Sequence, residues 1–141
     1  MSAAFLPPEV AEEIWAKDQE AALAWGPGGG EAIEHGNYFQ LTGSWSFVSG
    51  GRHATWIGGH AKIKKENGDP RLEPNGQPTA RTFIFPASQA RMTEIWDVIG
   101  LLGTGSDQFS VSDILVPKTH MLARDNPNYR VYEEPLYLFP A

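Results

Sequence analysis

The chain has 141 residues, 41% of them hydrophobic, which suits one domain with a modest core. Its 11 basic and 17 acidic residues give a net charge of −6, so the sequence predicts no phosphate-binding surface for nucleic acid. Cysteine is missing from the sequence, which excludes disulfides and thiolate metal sites.

The N-terminal residues 1–8 lack the basic start and the long apolar stretch of a signal peptide. No apolar run approaches the roughly 20 residues that span a bilayer. We therefore expect a soluble protein that does not enter a membrane. The absence of cysteine is compatible with a cytoplasmic location.

The first predicted element is a short amphipathic helix over residues 9–17. Pro7 and Pro8 suit a first helical turn, and Val10 and Ile14 would face inward. Beyond this segment the helical signal nearly disappears.

A glycine-rich stretch follows at residues 26–30. We expect no regular structure there, but either a flexible linker or a place where the backbone approaches another group closely. Residues 31–35 and 38–41 then form a predicted hairpin around Gly36 and Asn37. The alternation that follows places Trp45, Phe47 and Ser49 on one strand face, opposite Ser46 and Val48.

The rest of the chain also reads as strands and turns. Residues 55–63 form a predicted strand whose two adjacent glycines mark a bulge or bend. Residues 64–78 contain two Asn-Gly pairs and predict an exposed hairpin connection, and residues 79–85 and 109–116 predict further strands. Together these segments predict an all-β fold, an antiparallel barrel or double sheet with one short N-terminal helix.

Groups suited to catalysis are scarce. His53 and His60 are seven residues apart, which puts them on opposite faces of a regular strand, so we predict no histidine metal site. A Gly-x-Ser-x-Gly elbow is missing too. We therefore assign no catalytic and no metal-binding residue.

Two segments allow both a structural and a functional interpretation. Residues 100–106 predict either a tight turn or a loop whose amides and hydroxyls meet a cofactor; a strand follows them, unlike a dinucleotide-binding loop. Residues 45–54 predict either core packing before a turn or a wall for a flat ligand. The residues alone leave both alternatives open.

Three stretches resemble the middle domain of the acyl-CoA dehydrogenase superfamily. They are residues 5–15, residues 38–50 with His53, Ala54 and Trp56, and residues 96–107 with Val111, Asp113, Val116 and Pro117. Their order and spacing match over nearly the whole chain. The resemblance is closest to the flavin-dependent monooxygenase branch, the oxygenase components of two-component aromatic hydroxylases.

The resemblance implies that residues 1–141 are a middle β-barrel without the family's N- and C-terminal helical domains. It implies a flavin, FAD or FMN, between the barrel and the helical bundle. Phe47 and Val48 match the strand end that lines the isoalloxazine ring, and Ser49 matches the hydroxyl at its N5 edge.

The loop at residues 100–106 adds three candidate flavin-binding residues, Gly103, Thr104 and Ser106. Leu102 departs from the family, which usually has arginine there. Losing a guanidinium removes a fixed charge and up to five donors.

The function that the resemblance implies is that of a flavin-binding domain, incomplete for catalysis alone because the family's catalytic group lies in the C-terminal bundle. The tryptophan-rich segment around Trp45 favours a monooxygenase over an acyl-CoA dehydrogenase. The implied partners are flavin, further copies of the chain, and a flavin reductase in a full monooxygenase. With half a site, flavin binding by the isolated chain should be weak or absent. The alternative is a non-catalytic stand-alone barrel that acts as an assembly or binding module.

Overall fold

The computed structural model describes residues 2–17, 20–123, 126–132 and 135, so the C-terminal end of the predicted domain lies outside the described residues. Within the described part the chain forms one α-helix and eight strands. Their bounds are α1 Pro8–Trp15, β1 Leu23–Trp25, β2 Gly28–His35, β3 Tyr38–Val48, β4 Trp56–Lys64, β5 Ala80–Pro86, β6 Arg91–Thr93, β7 Asp107–Pro117 and β8 Met121–Leu122.

The strands form one sheet in the order β6-β7-β3-β2-β4-β5-β8, with β1 paired to β4. The all-β class with one N-terminal helix is confirmed. Two details differ from the expected barrel: in the described residues the path of strands is open, and β4 pairs in parallel with both β1 and β2. Strand β2 lies between β3 and β4, antiparallel to β3 and parallel to β4. Strands β3 and β4 therefore run in opposite directions, on opposite sides of β2.

Helix α1 packs against the β5–β8 end of the sheet. It begins with a proline at its first position, where the missing N–H costs no helical hydrogen bond. A small core lies between this helix and the sheet, and its fully buried members are Leu6, Val10, Ile14, Ile84 and Leu122. The predicted helix over residues 9–17 is therefore confirmed, with its end two residues earlier.

The main core is built around the indole of Trp45, which is completely buried and donates Nε1 to the carbonyl of His60 at 3.0 Å. Three glycines lie against this ring. A Cβ on Gly30, Gly43 or Gly59 would come within 3.0, 2.7 or 2.6 Å of indole carbons. These positions accept glycine alone because the strand backbones approach the ring directly.

This packing corrects two expectations about glycine. Residues 28–30 are regular strand, the start of β2 opposite Trp45, so the prediction of irregular structure was wrong there and the close approach was the right alternative. Gly58 and Gly59 continue the β4–β5 pairing without a register shift, so no bulge lies at them. The predicted hairpins at residues 31–41 and 64–78 are both present.

The predicted alternation in β3 breaks at its C-terminal end. Trp45 and Val48 are both fully buried, and the register against β7 shifts between them. The intervening Phe47 adopts φ 55 and is 58% exposed. A bulge inserts one extra residue and turns the following side chains over, so Phe47 does not share the face of Trp45.

No helix among the described residues has the length and apolar content that crossing a bilayer requires.

Candidate functional site

Hydrogen bonds connect the end of β3 to the loop before β7. These are the two segments for which the sequence allowed both a structural and a functional interpretation. The amide of Gly50 donates to the carbonyl of Thr104 at 2.9 Å. Ser49 Oγ lies 2.9 Å from Ser106 Oγ, which lies 2.9 Å from Thr104 Oγ1. Three of the predicted site residues therefore form one chain of hydroxyls, which we call the hydroxyl chain.

The loop itself is a tight turn, as the structural interpretation of residues 100–106 predicts; that its amides and hydroxyls meet a cofactor stays a prediction. A 3-10 turn at Leu102–Thr104 lies between two residues with left-handed backbone, Leu101 at φ 58 and Gly105 at φ 48. Thr104 Oγ1 donates to the carbonyl of Leu101 at 2.9 Å, which closes the turn. Gly103 is exposed, and a Cβ added to it would meet no atom within 4 Å. Packing therefore does not require glycine at this position.

An aromatic pair lies beside the hydroxyl chain. The rings of Phe47 and Trp96 meet edge to face, with centroids 6.0 Å apart and an interplanar angle of 88°. Trp96 Nε1 donates to the carbonyl of Leu101 at 3.0 Å, which ties the pair to the loop. Sequence reasoning assigned no site role to Trp96, although this residue begins the third stretch that resembles the family.

Val48 contributes differently from its neighbours. Its side chain is fully buried in the main core. A ring at this strand end would therefore meet the backbone of Val48 rather than its side chain, while Phe47 presents an exposed side chain. No described contact tests whether either residue binds a ligand, so both remain predictions.

A buried ion pair supports the site from behind. Asp107 is fully buried and accepts hydrogen bonds from Nε of Arg52 at 2.6 Å and from the amides of Ile95 and Trp96 at 3.0 and 3.1 Å. The Arg52 bond, helped by these two amides, holds the pKa of Asp107 below its ordinary value although burial acts to raise it. The same bond raises the pKa of Arg52. Sequence reasoning assigned no role to either residue, because no local pattern connects positions 52 and 107.

The segments around the site carry large apolar side chains that remain in water. Ile99, Leu101 and Leu102 are all more than half exposed. Leu102 is the position where the resemblance implies arginine, and an apolar leucine side chain cannot replace the hydrogen bonds of a guanidinium. We call these three residues the apolar rim.

A separate cleft of about 240 Å³ lies between α1 and the ends of β5 and β7. His120 lies here at 8% exposure, with its ring stacked on Trp56 at 5.9 Å and Nε2 3.8 Å from Glu13 Oε2. Burial lowers the pKa of His120, and the carboxylate of Glu13 opposes that shift in part. The four histidines are not brought together, and the described residues contain no group of three His, Cys, Asp or Glu side chains able to hold a metal.

The chain is similar in sequence to several monooxygenases. No family model matches the chain. It is 34% identical to indole-3-acetate monooxygenase of Pseudomonas putida over 98% of this chain and 33% of that protein. It is 30% identical to the flavin-dependent monooxygenase oxygenase subunit HsaA of Mycobacterium tuberculosis, over 79% of this chain and 27% of that protein.

A solved structure agrees with these sequences. The HsaA monooxygenase from M. tuberculosis superimposes with a TM-score of 0.82 and 25% identity, covering 99% of this chain and 36% of that chain. The chain thus spans about a third of the length of the relatives that it matches.

Proposed function

We propose that this chain, which belongs to the flavin-dependent monooxygenase branch of the acyl-CoA dehydrogenase superfamily, is a middle β-domain that supplies one wall of a flavin site in an oxygenase component. The observation that carries the proposal is the junction of Ser49, Thr104 and Ser106 beside the exposed ring of Phe47. The resemblance assigned Ser49 to the flavin, the loop at residues 100–106 added Thr104 and Ser106 as candidates, and the three lie together.

The groups at this junction fit a flavin. A flat isoalloxazine ring needs an apolar surface for one face and hydrogen-bonding groups at its polar edge. Phe47 and Trp96 offer aromatic surface, and Ser49 offers an exposed hydroxyl. Bound flavin, FAD or FMN, would supply the redox chemistry towards oxygen.

The residues of this chain would bind and orient the ring rather than transform a substrate. Phe47 would contact one face, and Ser49 would hydrogen-bond the N5 edge. We assign no catalytic residue, because the resemblance implies that the family's catalytic group lies in the C-terminal bundle. Hydroxylation of an aromatic substrate would then need the further parts that the longer relatives possess, and the chain alone should show negligible turnover.

We further propose that the working assembly contains several copies of the chain. A flavin reductase would deliver reduced flavin to it, and both would act in the cytoplasm. The apolar rim supports the first of these proposals, because soluble monomers rarely expose large apolar patches. The same rim also supports the alternative function, a non-catalytic assembly module. The two functions differ in whether flavin binds.

The experiment is a fluorescence titration of oxidised FMN with the purified chain. One wall leaves the second face of the ring in water, and exposing about 150 Å² at roughly 25 cal/mol per Å² costs about 4 kcal/mol. This is about a thousandfold in affinity, so binding should be saturable with a dissociation constant on the order of micromolar to millimolar, and the protein should purify colourless.

Two variants localise the binding. Phe47→Ala should weaken the binding of oxidised FMN, and Ser49→Ala should weaken the binding of reduced FMN, while Leu72→Ala, which truncates another exposed apolar side chain on the hairpin of residues 64–78, should change neither. Binding that none of these variants affects would contradict the proposed site. A complete lack of saturable binding would favour the assembly module.

A further inference from the structure

The hydroxyl chain has a direction that the geometry determines. It ends on the carbonyl of Leu101, 2.9 Å from Thr104 Oγ1. A carbonyl oxygen accepts and never donates, so the proton between these two atoms belongs to Thr104. Without that proton, two oxygens would face each other at hydrogen-bonding distance with nothing between them.

This first assignment decides the other two, because each hydroxyl carries a single proton. The proton of Thr104 is used on Leu101, so Ser106 must donate to Thr104. The proton of Ser106 is then used, so Ser49 must donate to Ser106. Ser49 Oγ is left with lone pairs alone for any molecule that approaches it.

The surrounding structure maintains this direction. Ser106 is 3% exposed, so water has little access to turn its hydroxyl around. The carbonyl of Leu101 is held in place by two further donors, the amide of Thr104 at 3.1 Å and Trp96 Nε1 at 3.0 Å. The hydrogen bond from the amide of Gly50 to the carbonyl of Thr104 holds the segment of Ser49 against the loop of Thr104 and Ser106.

We infer that Thr104 and Ser106 are positioning residues that make Ser49 Oγ a hydrogen-bond acceptor towards its ligand. The inference rests on the proposed function, in which Ser49 meets the N5 edge of a flavin. In the oxidised ring N5 is an acceptor, whereas in the reduced ring it carries a hydrogen. The lone pairs of Ser49 Oγ can therefore accept a hydrogen bond from N5 of the reduced ring. Towards the oxidised ring they face the lone pair of N5, and no hydrogen bond forms.

The test compares the dissociation constants of oxidised and anaerobically reduced FMN for the same protein. The wild-type chain should bind reduced FMN about tenfold more tightly, the size of one hydrogen bond. Thr104→Val keeps the shape but removes the acceptor of Ser106, which then donates to Ser49 and frees the Ser49 proton for the ligand. The preference should fall to about equal affinity.

Three further variants support the comparison. Thr104→Ser retains the hydroxyl and should keep the wild-type ratio. Ser106→Ala removes the acceptor of Ser49 directly, so it should lose the preference even if Thr104→Val fails to fold. Ser46→Ala is the matched control, because Ser46 lies in β3 three residues before Ser49, but its hydroxyl donates to Gln108 Oε1 at 3.3 Å and is not part of the hydroxyl chain.

The ratio separates orientation from simple loosening of the loop, which would weaken both redox states together. A Thr104→Val or Ser106→Ala protein that binds FMN with the wild-type ratio would overturn the inference and leave the proposed function standing. Wild-type binding that favours the oxidised form would overturn the inference as well. No saturable binding of either form by the wild-type chain would overturn both.

Discussion

Asp107 accepts a hydrogen bond from Nε of Arg52 over 2.6 Å, and its side chain is fully buried. Its other carboxylate oxygen accepts the amides of Ile95 and Trp96. One side chain thus connects the turn after β3, the loop that carries Trp96, and the start of β7. The aromatic pair and the hydroxyl chain are both placed by segments that meet at this carboxylate.

Replacing this carboxylate should destabilise the protein. In Asp107→Asn the new amide presents N–H groups either to Arg52 or to the backbone amides, so at least one buried donor loses its acceptor. Asp113→Asn is the matched control, because Asp113 also lies in β7 and accepts side-chain hydrogen bonds, from Gln40 and Thr42, but is exposed. Thermal unfolding at pH 7 should show a clear loss for Asp107→Asn and little change for the control.

The same pair predicts a response to acid. The pKa of Asp107 in the folded protein lies below its ordinary value of 3.8, so the folded state binds this proton less readily than the unfolded chain. Its stabilising contribution is therefore present above about pH 4 and disappears as the pH falls through the folded value. Unfolding between pH 5 and 2 should show a shallower acid slope for Asp107→Asn than for the wild type; parallel slopes would contradict the assignment.

Gly59 should not tolerate a methyl group. In Gly59→Ala the new Cβ would lie 2.6 Å from the buried indole of Trp45, and overpacking of this kind costs about 1–3 kcal/mol. Gly29→Ala is the control, because a Cβ there meets no atom within 4 Å. Chemical denaturation should separate the two variants by that amount, and equal stabilities would contradict the proposed packing around Trp45.

Much of this fold follows from local patterns, and the exceptions have physical causes. Alternation and Asn-Gly turns predicted the strands and hairpins, since these depend on residues close in sequence. The glycines of β2 and β4 were misread because their partner is the ring of Trp45, which only the folded sheet brings near. The outward turn of Phe47 depends on a bulge against β7, and a period of two does not contain it.

The candidate site divides in the same way. Ser49 was identified from the resemblance and Thr104 and Ser106 from the loop that carries them, but the hydrogen bond between Ser49 and Ser106 joins residues 57 positions apart. The pair of Arg52 and Asp107 is equally distant and gave no local signal. The parallel pairing of β2 and β4 likewise depends on the order of strands in the sheet rather than on any one segment.

His120 should give the protein a second pH dependence, at mild acidity. Burial lowers its pKa from 6.5, so the unfolded chain takes up this proton before the folded protein does. Stability should therefore decline as the pH falls below about 6.5. His120→Phe preserves the ring against Trp56 without a titrating group and should flatten the decline between pH 6.5 and 5, while His53→Gln, at an exposed position, should retain it. A decline that persists in His120→Phe would assign it to another group.

The apolar rim should mediate self-association. Light scattering on the wild-type chain at micromolar concentration should give a dimer or a larger species. Replacing Ile99 and Leu102 together by serine should shift it to monomer, because both side chains are exposed and apolar. Leu72→Ser, at an exposed leucine on the hairpin, should leave the assembly intact. A wild-type monomer would contradict the expected oligomer.

The most direct test of the central claim is a map of backbone amide NMR signals during titration with FMN. If the hydroxyl chain and Phe47 form a flavin wall, the signals of Ser49, Gly50 and Thr104 should shift saturably and with one common dissociation constant. The cleft around Trp56 and His120, which lies apart from this site, should remain unchanged. Saturable shifts confined to that cleft, or none at all at millimolar FMN, would contradict the account.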